Sequence, residues 1–307
     1  MMAGKTYETI IIGAGIAGAT AAIYASRKRM KFELISPDSG GQMMASGEIL
    51  NYPGITKTTG AEFSDTLDKQ LEFNGVKLKK EAVKAVKKKG KNFLVTTDKG
   101  EYETKTAIIA TGARPRKLDV PGEDKFARKG VAYCSVCDGP LFSGKKVAIV
   151  GGGNAALEVV DFMREIASKI YMIVLGDKFI GHEYLIEKVK ANPKVEVLFN
   201  AKTTEITGDK FVRGITYEQK GKTKELKVDG VIIEIGRVPN TDIFKGLLEM
   251  DGDGHIAIDC QTNTSVPGIF AAGDCASGHE YQYVIAAGQG CMALLKAARY
   301  IANQKQS

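Results

Sequence analysis

Cys134-Ser135-Val136-Cys137-Asp138-Gly139 sets two thiols on either side of a two-residue spacer. Such a pair can close a small disulfide ring and reopen as a dithiol, and it favours the thiolate more than an isolated cysteine does. That is the chemistry of a redox switch. The competing chemistry is half of a zinc site, which needs four ligands. No second pair and no Cys/His spacing supplies the rest, because His182, His255 and His279 are scattered. They read as surface or packed residues, and no metal is expected. Cys260, Cys275 and Cys291 have no motif spacing either, and five cysteines cannot all pair, which points to a reducing, cytoplasmic compartment.

Just after the cysteines, a buried-type strand, Lys146 to Val150, runs into Gly151-Gly152-Gly153-Asn154-Ala155-Ala156. This is the tight turn that seats a pyrophosphate on a helix N-terminus, with the helix running from Asn154 to about Ala167. A dithiol beside a dinucleotide site suggests electron transfer between them. The same order of parts stands near the start of the chain: a β-branched run from Glu8 to Ile12, then Gly13-Ala14-Gly15-Ile16-Ala17-Gly18, a small-residue helix to Ser26 and a strand from Lys31 to Ile35. The acidic residue that holds a ribose is due about 20 positions on. Asp38 is the nearest, with Ser36 at the strand end. Thr9 to Ser26 is uncharged and long enough to be weighed as a membrane span, but Gly13, Gly15 and Gly18 split it into strand, turn and helix.

The 307 residues suffice for two domains, since single cores stop growing near ~250 residues. After the first fingerprint come the loop signals Gly40-Gly41-Gln42 and Asn51-Tyr52-Pro53-Gly54, then an antiparallel layer expected from Val76-Lys80, Ala82-Val86, Phe93-Thr97 and Tyr102. Thr106 to Ala110 follows as a buried strand, closing on Thr111-Gly112-Ala113-Arg114-Pro115. The second fingerprint is followed by an equivalent series that closes on Gly236-Arg237-Val238-Pro239. This repeat implies two similar dinucleotide domains. Gly273-Asp274 then delivers an aspartate at a strand end, suited to a cofactor hydroxyl, before a last helix from Tyr281 to about Ala302. The fold class expected is α/β: two similar three-layer Rossmann-like domains, the second inserted into the first, with boundaries 1–114, 115–244 and 245–307. The net charge of +7 has its densest stretch from Lys77 to Lys91, where alternation with Val83, Val86 and Phe93 reads as a solvated face without stacking aromatics, so no nucleic acid is expected.

Over nearly its whole length the chain resembles the low-molecular-weight thioredoxin reductases and the reductase part of the alkyl hydroperoxide reductase flavoprotein. The resemblance is carried by Gly13 to Gly18, Gly40-Gly41-Gln42, Asn51 to Gly54, Ala110-Thr111-Gly112, Cys134 to Gly139, Gly151 to Glu158, Gly236 with Pro239-Asn240-Thr241, and Gly273-Asp274 with Gln282. It implies FAD in the first domain, and a nicotinamide nucleotide with the redox disulfide in the second. Gly13, Gly15 and Gly18 would admit the FAD pyrophosphate, Gln42 and Asn51 would line the isoalloxazine, Asp274 would hold the ribitol and Gln282 would lie along the ring. Gly41, Thr111, Gly112 and Gly273 fall in the same flavin motifs, and Gly151, Gly153, Asn154 and Ala155 in the nicotinamide one. The resemblance makes Cys137 the flavin-facing sulfur, Cys134 the one that attacks a thioredoxin-like partner, and Asp138 the proton donor and acceptor; a second charge nearby should raise the Asp138 pKa. It also implies a homodimer.

Two departures matter. Family members that use NADP carry two arginines after the second domain's second strand, and NADH-preferring relatives a glutamate; here stands Val174-Leu175-Gly176-Asp177-Lys178. Losing a charged hydrogen bond to the 2′-phosphate costs about 1.5–3 kcal/mol, so NADPH, NADH and a reduced deazaflavin all stay open as donors. Tyr281 replaces a basic residue beside Gln282. On the partner side, Leu141 and Phe142 read either as an apolar docking patch or as structural residues, and Lys129 stands where a basic residue would face an acidic thioredoxin. With the first fingerprint so near Met1, the electrons are expected to leave for a separate molecule. A FAD-binding regulatory protein without turnover is the alternative from another class.

Overall fold

The computed structural model describes residues 6–46 and 48–304; the side chains of Ala45, Glu48, Val136 and Cys137 lie outside the described residues. The chain divides into two compact units, one from residues 1–114 and 238–307, the other from Pro115–Arg237.

In the first unit the strand Tyr7–Ile12 is central because Ile10, Ile11 and Ile12 are apolar on both faces and all buried. Such strands belong inside parallel sheets covered on both sides. Phe32–Ser36 pairs with it in parallel on one edge and Glu101–Ile109 on the other, with Ile12 opposite both Ile35 and Ile109. The Glu101–Ile109 strand serves two partners on its far edge. Residues 101–104 pair antiparallel with Asn92–Thr97, and residues 107–109 pair in parallel with Ile269–Ala271.

Of the antiparallel layer expected from residue 76 onward, the part from Val83 to residue 104 pairs antiparallel as expected, and only its first strand is corrected. Leu78–Lys80 extends the parallel sheet beside Phe32–Ser36, and Val83–Lys89 with Asn92–Thr97 continues that same sheet as a hairpin. The reason is a helix that the sequence reading passed over, Gly60–Phe73. A crossover helix returns the chain in the same direction, so the next strand must pair in parallel. Its start was legible: Thr59 Oγ1 accepts from the Glu62 amide at 3.2 Å, and the Glu62 carboxylate accepts from the Thr59 amide at 2.9 Å, a reciprocal cap.

Small residues let the helix Ile16–Arg27 lie close to its neighbours, with Ala17, Ala19, Ala21, Ala22 and Ala25 all buried. The long helix Tyr283–Gln304 meets it backbone to backbone at Gly290, where a Cβ would stand 2.0 Å from the Ala17 carbonyl oxygen.

The second unit has a five-stranded sheet in the order Val131–Ala132, Gly230–Ile233, Lys146–Val150, Lys169–Ile173, Val195–Leu198, all parallel. A three-stranded antiparallel sheet, Ala201–Gly208, Val212–Gln219 and Lys222–Lys227, lies between Val195–Leu198 and Gly230–Ile233 in the sequence. The two connectors pair with each other as a short ribbon, Ala113–Pro115 with Arg237–Pro239. The chain therefore returns to the first unit at Val238, which corrects the boundary expected after residue 244. The physical cause is Phe244, fully buried in a core cluster with Ile12, Ile35 and Ile256, and Thr241, whose hydroxyl donates to the Gly254 carbonyl. Among the described residues no helix is long and apolar enough to cross a membrane.

Alanine at position 290 should gain about 1 kcal/mol of intrinsic helix propensity and lose more to overpacking, which costs about 1–3 kcal/mol. Because the obstacle is a backbone carbonyl, the net effect of Gly290→Ala is expected to be destabilising. Chemical denaturation checks the sign.

Candidate active site

The first glycine cradle is built by contact with a carbonyl. Gly13 has φ +107°, and a Cβ on it would stand 2.2 Å from the Ala110 oxygen. Gly18 faces Gly13 just as tightly, whereas Gly15, the residue before the helix, has nothing within 4 Å of its Cβ position. The helix N-terminus is thus held firmly yet open on the side from which an anion would approach. Gly41, with φ +52°, passes near Gly15, its Cβ position lying 3.3 Å from the Gly15 Cα. Beside this cradle is a cavity of about 400 Å³ lined by Gly13, Ser36, Asp38, residues 81–83, Thr111, Arg114 and Asn240 among others. Ser36 and Asp38 both line it, as a ribose-binding pair would. The cradle, the open N-terminus and this cavity fit the adenosine and pyrophosphate of FAD.

Several lining residues were not foreseen. Residues 81–83 arrive with the Leu78–Lys80 edge strand, and Asn240 and Asp242 with the return connector. Asn240 is tied to the Thr111-Gly112 turn by three bonds. Its amide donates to the Gly112 oxygen at 2.9 Å, its side-chain amide to the Thr111 oxygen at 2.9 Å, and its backbone oxygen accepts from the Thr111 hydroxyl at 2.8 Å. The Pro-Asn-Thr signal was visible, but not what it grips.

The flavin-ring residues named from sequence divide into two groups. Asn51 donates to the Gln282 side chain at 3.2 Å, so these two meet. Gln42 donates instead to the Ala113 carbonyl. Asp274 is half-buried beside Gly273, whose amide donates to Gln289 at 2.7 Å. Cys275 is fully buried, donates weakly to the Ile109 and Ala272 oxygens, and burial pushes its thiol pKa up. It is a packed residue.

In the second unit Cys134 is disulfide-bonded and half-buried; elsewhere in the chain Cys260, Cys275 and Cys291 are free. The Cys137 side chain lies outside the described residues. Cys134 is followed by a single helical turn, Ser135–Asp138, with the Asp138 amide bonded to the Cys134 oxygen at 3.1 Å. Gly139 lets this turn press on the helix Asn154–Met163, since a Cβ there would meet Phe162 at 2.8 Å and the Met163 sulfur at 3.0 Å. On the other flank Glu123, a buried carboxylate, accepts from the Leu118 and Asp119 amides at 3.1 and 2.7 Å and from the Tyr133 hydroxyl at 2.5 Å. Tyr133 immediately precedes Cys134, so this network fixes where the disulfide segment begins. Burial, with Glu123 beside it, raises the Tyr133 pKa, which keeps the hydroxyl a donor.

Burial also raises the Asp138 carboxyl, with Arg128 opposing. The direction agrees with expectation; with the disulfide closed no thiolate stands beside it, and in this state the cause is loss of water. Leu141 and Phe142 part company: Leu141 is 68% exposed and Phe142 is buried in the core, against Gly230. Lys125, Arg128 and Lys129 are exposed nearby in sequence.

The second cradle repeats the first. Gly151 has φ +143° and its Cβ would stand 2.1 Å from the Glu234 oxygen. Gly153 precedes the helix Asn154–Met163, and the Asn154 side chain accepts from the His182 amide at 2.7 Å. Ala155 is exposed at this helix start. After the strand Lys169–Ile173, Val174 is buried, while Leu175, Asp177 and Lys178 are exposed. What sequence reading missed is the Glu234 side chain. Burial raises its carboxyl from the ordinary 4.5 to about 7, Arg237 opposing and Glu158 adding to the rise. Loss of water likewise raises Glu158, with His182 opposing.

Two glycine cradles of the same build, one in each unit, and a disulfide on a short helical turn within the inserted unit define the fold of the thioredoxin reductase-like flavoprotein disulfide reductases. The chain belongs to the pyridine nucleotide-disulphide oxidoreductase family, which it matches over residues 7–290. It is 38% identical over 302 residues to a subunit of alkyl hydroperoxide reductase from Staphylococcus aureus (strain MSSA476) and 37% identical over 300 residues to a protein named NADH dehydrogenase from Bacillus subtilis (strain 168). Both alignments cover 97% of this chain but 59% of the relative, so the chain spans less than two thirds of these proteins' length. A solved thioredoxin reductase from Lactococcus lactis, in its FR conformation, superposes with a TM-score of 0.91 at 33% identity, covering 97% of this chain and 100% of that one.

The raised Glu234 carboxyl carries a sign that can be measured. A carboxyl whose folded pKa lies above its unfolded value adds stability that is complete below about 4.5 and is lost as pH rises through about 7. Relative to Glu234→Gln, the wild-type protein should therefore lose stability across that interval. Denaturation midpoints measured against pH for the two proteins check it; parallel curves would contradict the assignment.

Proposed function

We propose that the protein is a flavoprotein disulfide reductase of the thioredoxin reductase type, passing a hydride's two electrons to the Cys134/Cys137 disulfide and from there to a thioredoxin-like protein. The observation that carries this reading is the disulfide at Cys134, held on a turn that ends in a carboxyl of raised pKa. The open helix N-terminus at Gly15, the ribose-side pair Ser36 and Asp38, and Asp274 would hold FAD, with Gln42, Asn51 and Gln282 along the ring. FAD, when bound, supplies a centre that accepts hydride and hands two electrons to a disulfide.

The chain's own residues do the rest. A thiol of pKa about 8.5 is only about 3% ionised at pH 7, so both making the attacking thiolate and protonating the leaving sulfur need a proton-carrying neighbour. Asp138, raised by burial, is that group. The Cys134 thiolate then attacks the partner disulfide, forming a mixed disulfide and releasing one partner thiolate. Cys137 attacks Cys134 in turn, which releases the second partner thiolate and restores the internal disulfide. Leu141, exposed beside the turn, and the exposed Lys125, Arg128 and Lys129 offer an apolar and basic approach for an acidic partner. A peroxiredoxin-linked partner is the second reading, supported by the likeness to the alkyl hydroperoxide reductase protein. The hinge that lets one disulfide meet first the flavin and then the partner protein belongs at the paired connectors, each with a left-handed glycine, Gly112 at φ +63° and Gly236 at φ +98°. Residues 243–246 follow the buried Thr241 and include the fully buried Phe244, which argues against a hinge there. A homodimeric, cytoplasmic enzyme is part of the same proposal.

For the donor we favour NADH or a reduced deazaflavin over NADPH. Exposed Leu175, Asp177 and Lys178 take the place of an arginine pair.

Anaerobic titration of the flavin-loaded protein with NADPH, NADH and reduced deazaflavin should bleach the flavin with one of the last two at lower concentration than with NADPH. No bleaching by any donor would instead support a non-catalytic flavin-binding protein. Cys137→Ser should keep donor-driven bleaching and lose reduction of a thioredoxin disulfide; retained reduction would overturn the cysteine roles. Asp138→Asn should slow that reduction about a hundredfold or more, read as turnover with the bleaching step unchanged.

A further inference from the structure

In the first unit, the turn that carries Asp251 and His255 meets the segment before the last helix, which carries His279 and Tyr281. Far apart in the sequence, the two histidines come together with ring centroids 4.4 Å apart at an interplanar angle of 65°. Asp251 sits between them: its Oδ1 is 3.5 Å from His255 Nδ1 and its Oδ2 is 2.8 Å from His279 Nε2. The possible ligand atoms of all three residues lie within 4.8 Å of one another.

The hydrogen bonding at this cluster is incomplete in a specific way. Asp251 Oδ1 accepts from the amides of Asp253 and His255 at 3.0 and 2.9 Å, but its buried Oδ2 has no hydrogen-bond partner, the close approach of His279 lacking the necessary geometry. His255 is only 3% exposed, and its Nδ1 is likewise buried and unbonded. Its other nitrogen, Nε2, lies 2.7 Å from the Tyr281 hydroxyl. A proton on Nε2, donated to Tyr281, leaves the Nδ1 lone pair turned toward Asp251 and His279. Buried polar atoms left unsatisfied are costly, and a metal-bound histidine ordinarily donates its second nitrogen to an outer partner in this manner.

We propose that Asp251, His255 and His279 form a zinc-type divalent cation site, with Tyr281 as the outer partner of His255 and water in the fourth position. Two imidazoles and a carboxylate suit a borderline-soft ion such as zinc. Ligand bonds of about 2.1 Å at tetrahedral angles put ligand atoms about 3.4 Å apart, so Asp251 Oδ2 and His279 Nε2, now 2.8 Å apart, would separate while the set, now within 4.8 Å, adjusts around the ion. The ion would staple the Asp251–His255 turn to the segment leading into Gln282, the residue bonded to Asn51. This proposal stands on the cluster itself and does not require the redox reading.

The test uses the flavin-loaded protein with its disulfide closed, so that the Cys134/Cys137 thiols cannot compete. After treatment with a chelator it is titrated with zinc sulfate against a chromophoric chelator. The wild type should bind one zinc per chain. His279→Ala removes a half-exposed ligand without disturbing the core, and it should weaken binding about tenfold or more, as should Asp251→Asn. The unfolding midpoint should rise with zinc in the wild type and not in His279→Ala. His182→Ala should bind zinc as the wild type does. Failure to take up stoichiometric zinc, equal affinity in His279→Ala, or equal loss in His182→Ala would each overturn the site.

Discussion

Each unit depends on one contact, the first glycine of a fingerprint pressed against a backbone carbonyl of the neighbouring chain crossing. Gly13 meets the Ala110 oxygen and Gly151 the Glu234 oxygen, with Cβ positions at 2.2 and 2.1 Å. No side chain fits in that gap, and both glycines have φ values that side-chain-bearing residues rarely adopt. The contact bends the chain sharply from strand into helix, which leaves the helix N-terminus free to face an anion. It also sets where the connectors begin, because Ala110 and Glu234 each stand two residues before a left-handed glycine, Gly112 or Gly236. Cradle and crossing are one construction, used twice.

The disulfide segment is held on a different principle. It has a single turn of helix, too short to be stable alone, so its position comes from its flanks. Before Cys134, the buried Glu123 gathers two backbone amides and the Tyr133 hydroxyl. After Asp138, Gly139 allows contact with Phe162 and Met163, and Phe142 anchors the chain in the core of the unit. The segment between these anchors is partly covered, which is enough to raise the Asp138 pKa while leaving Leu141 in solvent. Rigid ends and a half-buried middle suit a sulfur pair that must keep its geometry and still be reached.

The second cradle departs from the first at one side chain. Where Ala110 closes over Gly13, Glu234 closes over Gly151, and it brings a carboxyl whose pKa burial lifts to about 7. Burial favours the neutral carboxyl and Arg237 the charged one, so the charge at this cradle changes near neutral pH. The two cradles thus share a backbone and differ in their electrostatics.

Much of this was legible in the sequence, because glycine spacing is a steric requirement that leaves a local trace. The two fingerprints, the cysteine turn, the internal repeat and the first crossing at Arg114 could all be read from neighbouring residues. The helix Gly60–Phe73 was equally legible through its Thr59 and Glu62 cap, and was overlooked. The second crossing was misplaced because nothing local marks residues 238–244 as belonging to the first unit; only the burial of Phe244 and the bonds from Asn240 to Thr111 and Gly112 decide it. The same holds for the Glu234 carboxyl, for the division of Leu141 from Phe142, and for the meeting of His255 with His279. Sequence alone determined where backbone must turn and which sulfurs could exchange, since those follow from residues adjacent along the chain. Tertiary structure decided which charges lose water and which distant side chains face each other, since burial is a property of the packed whole.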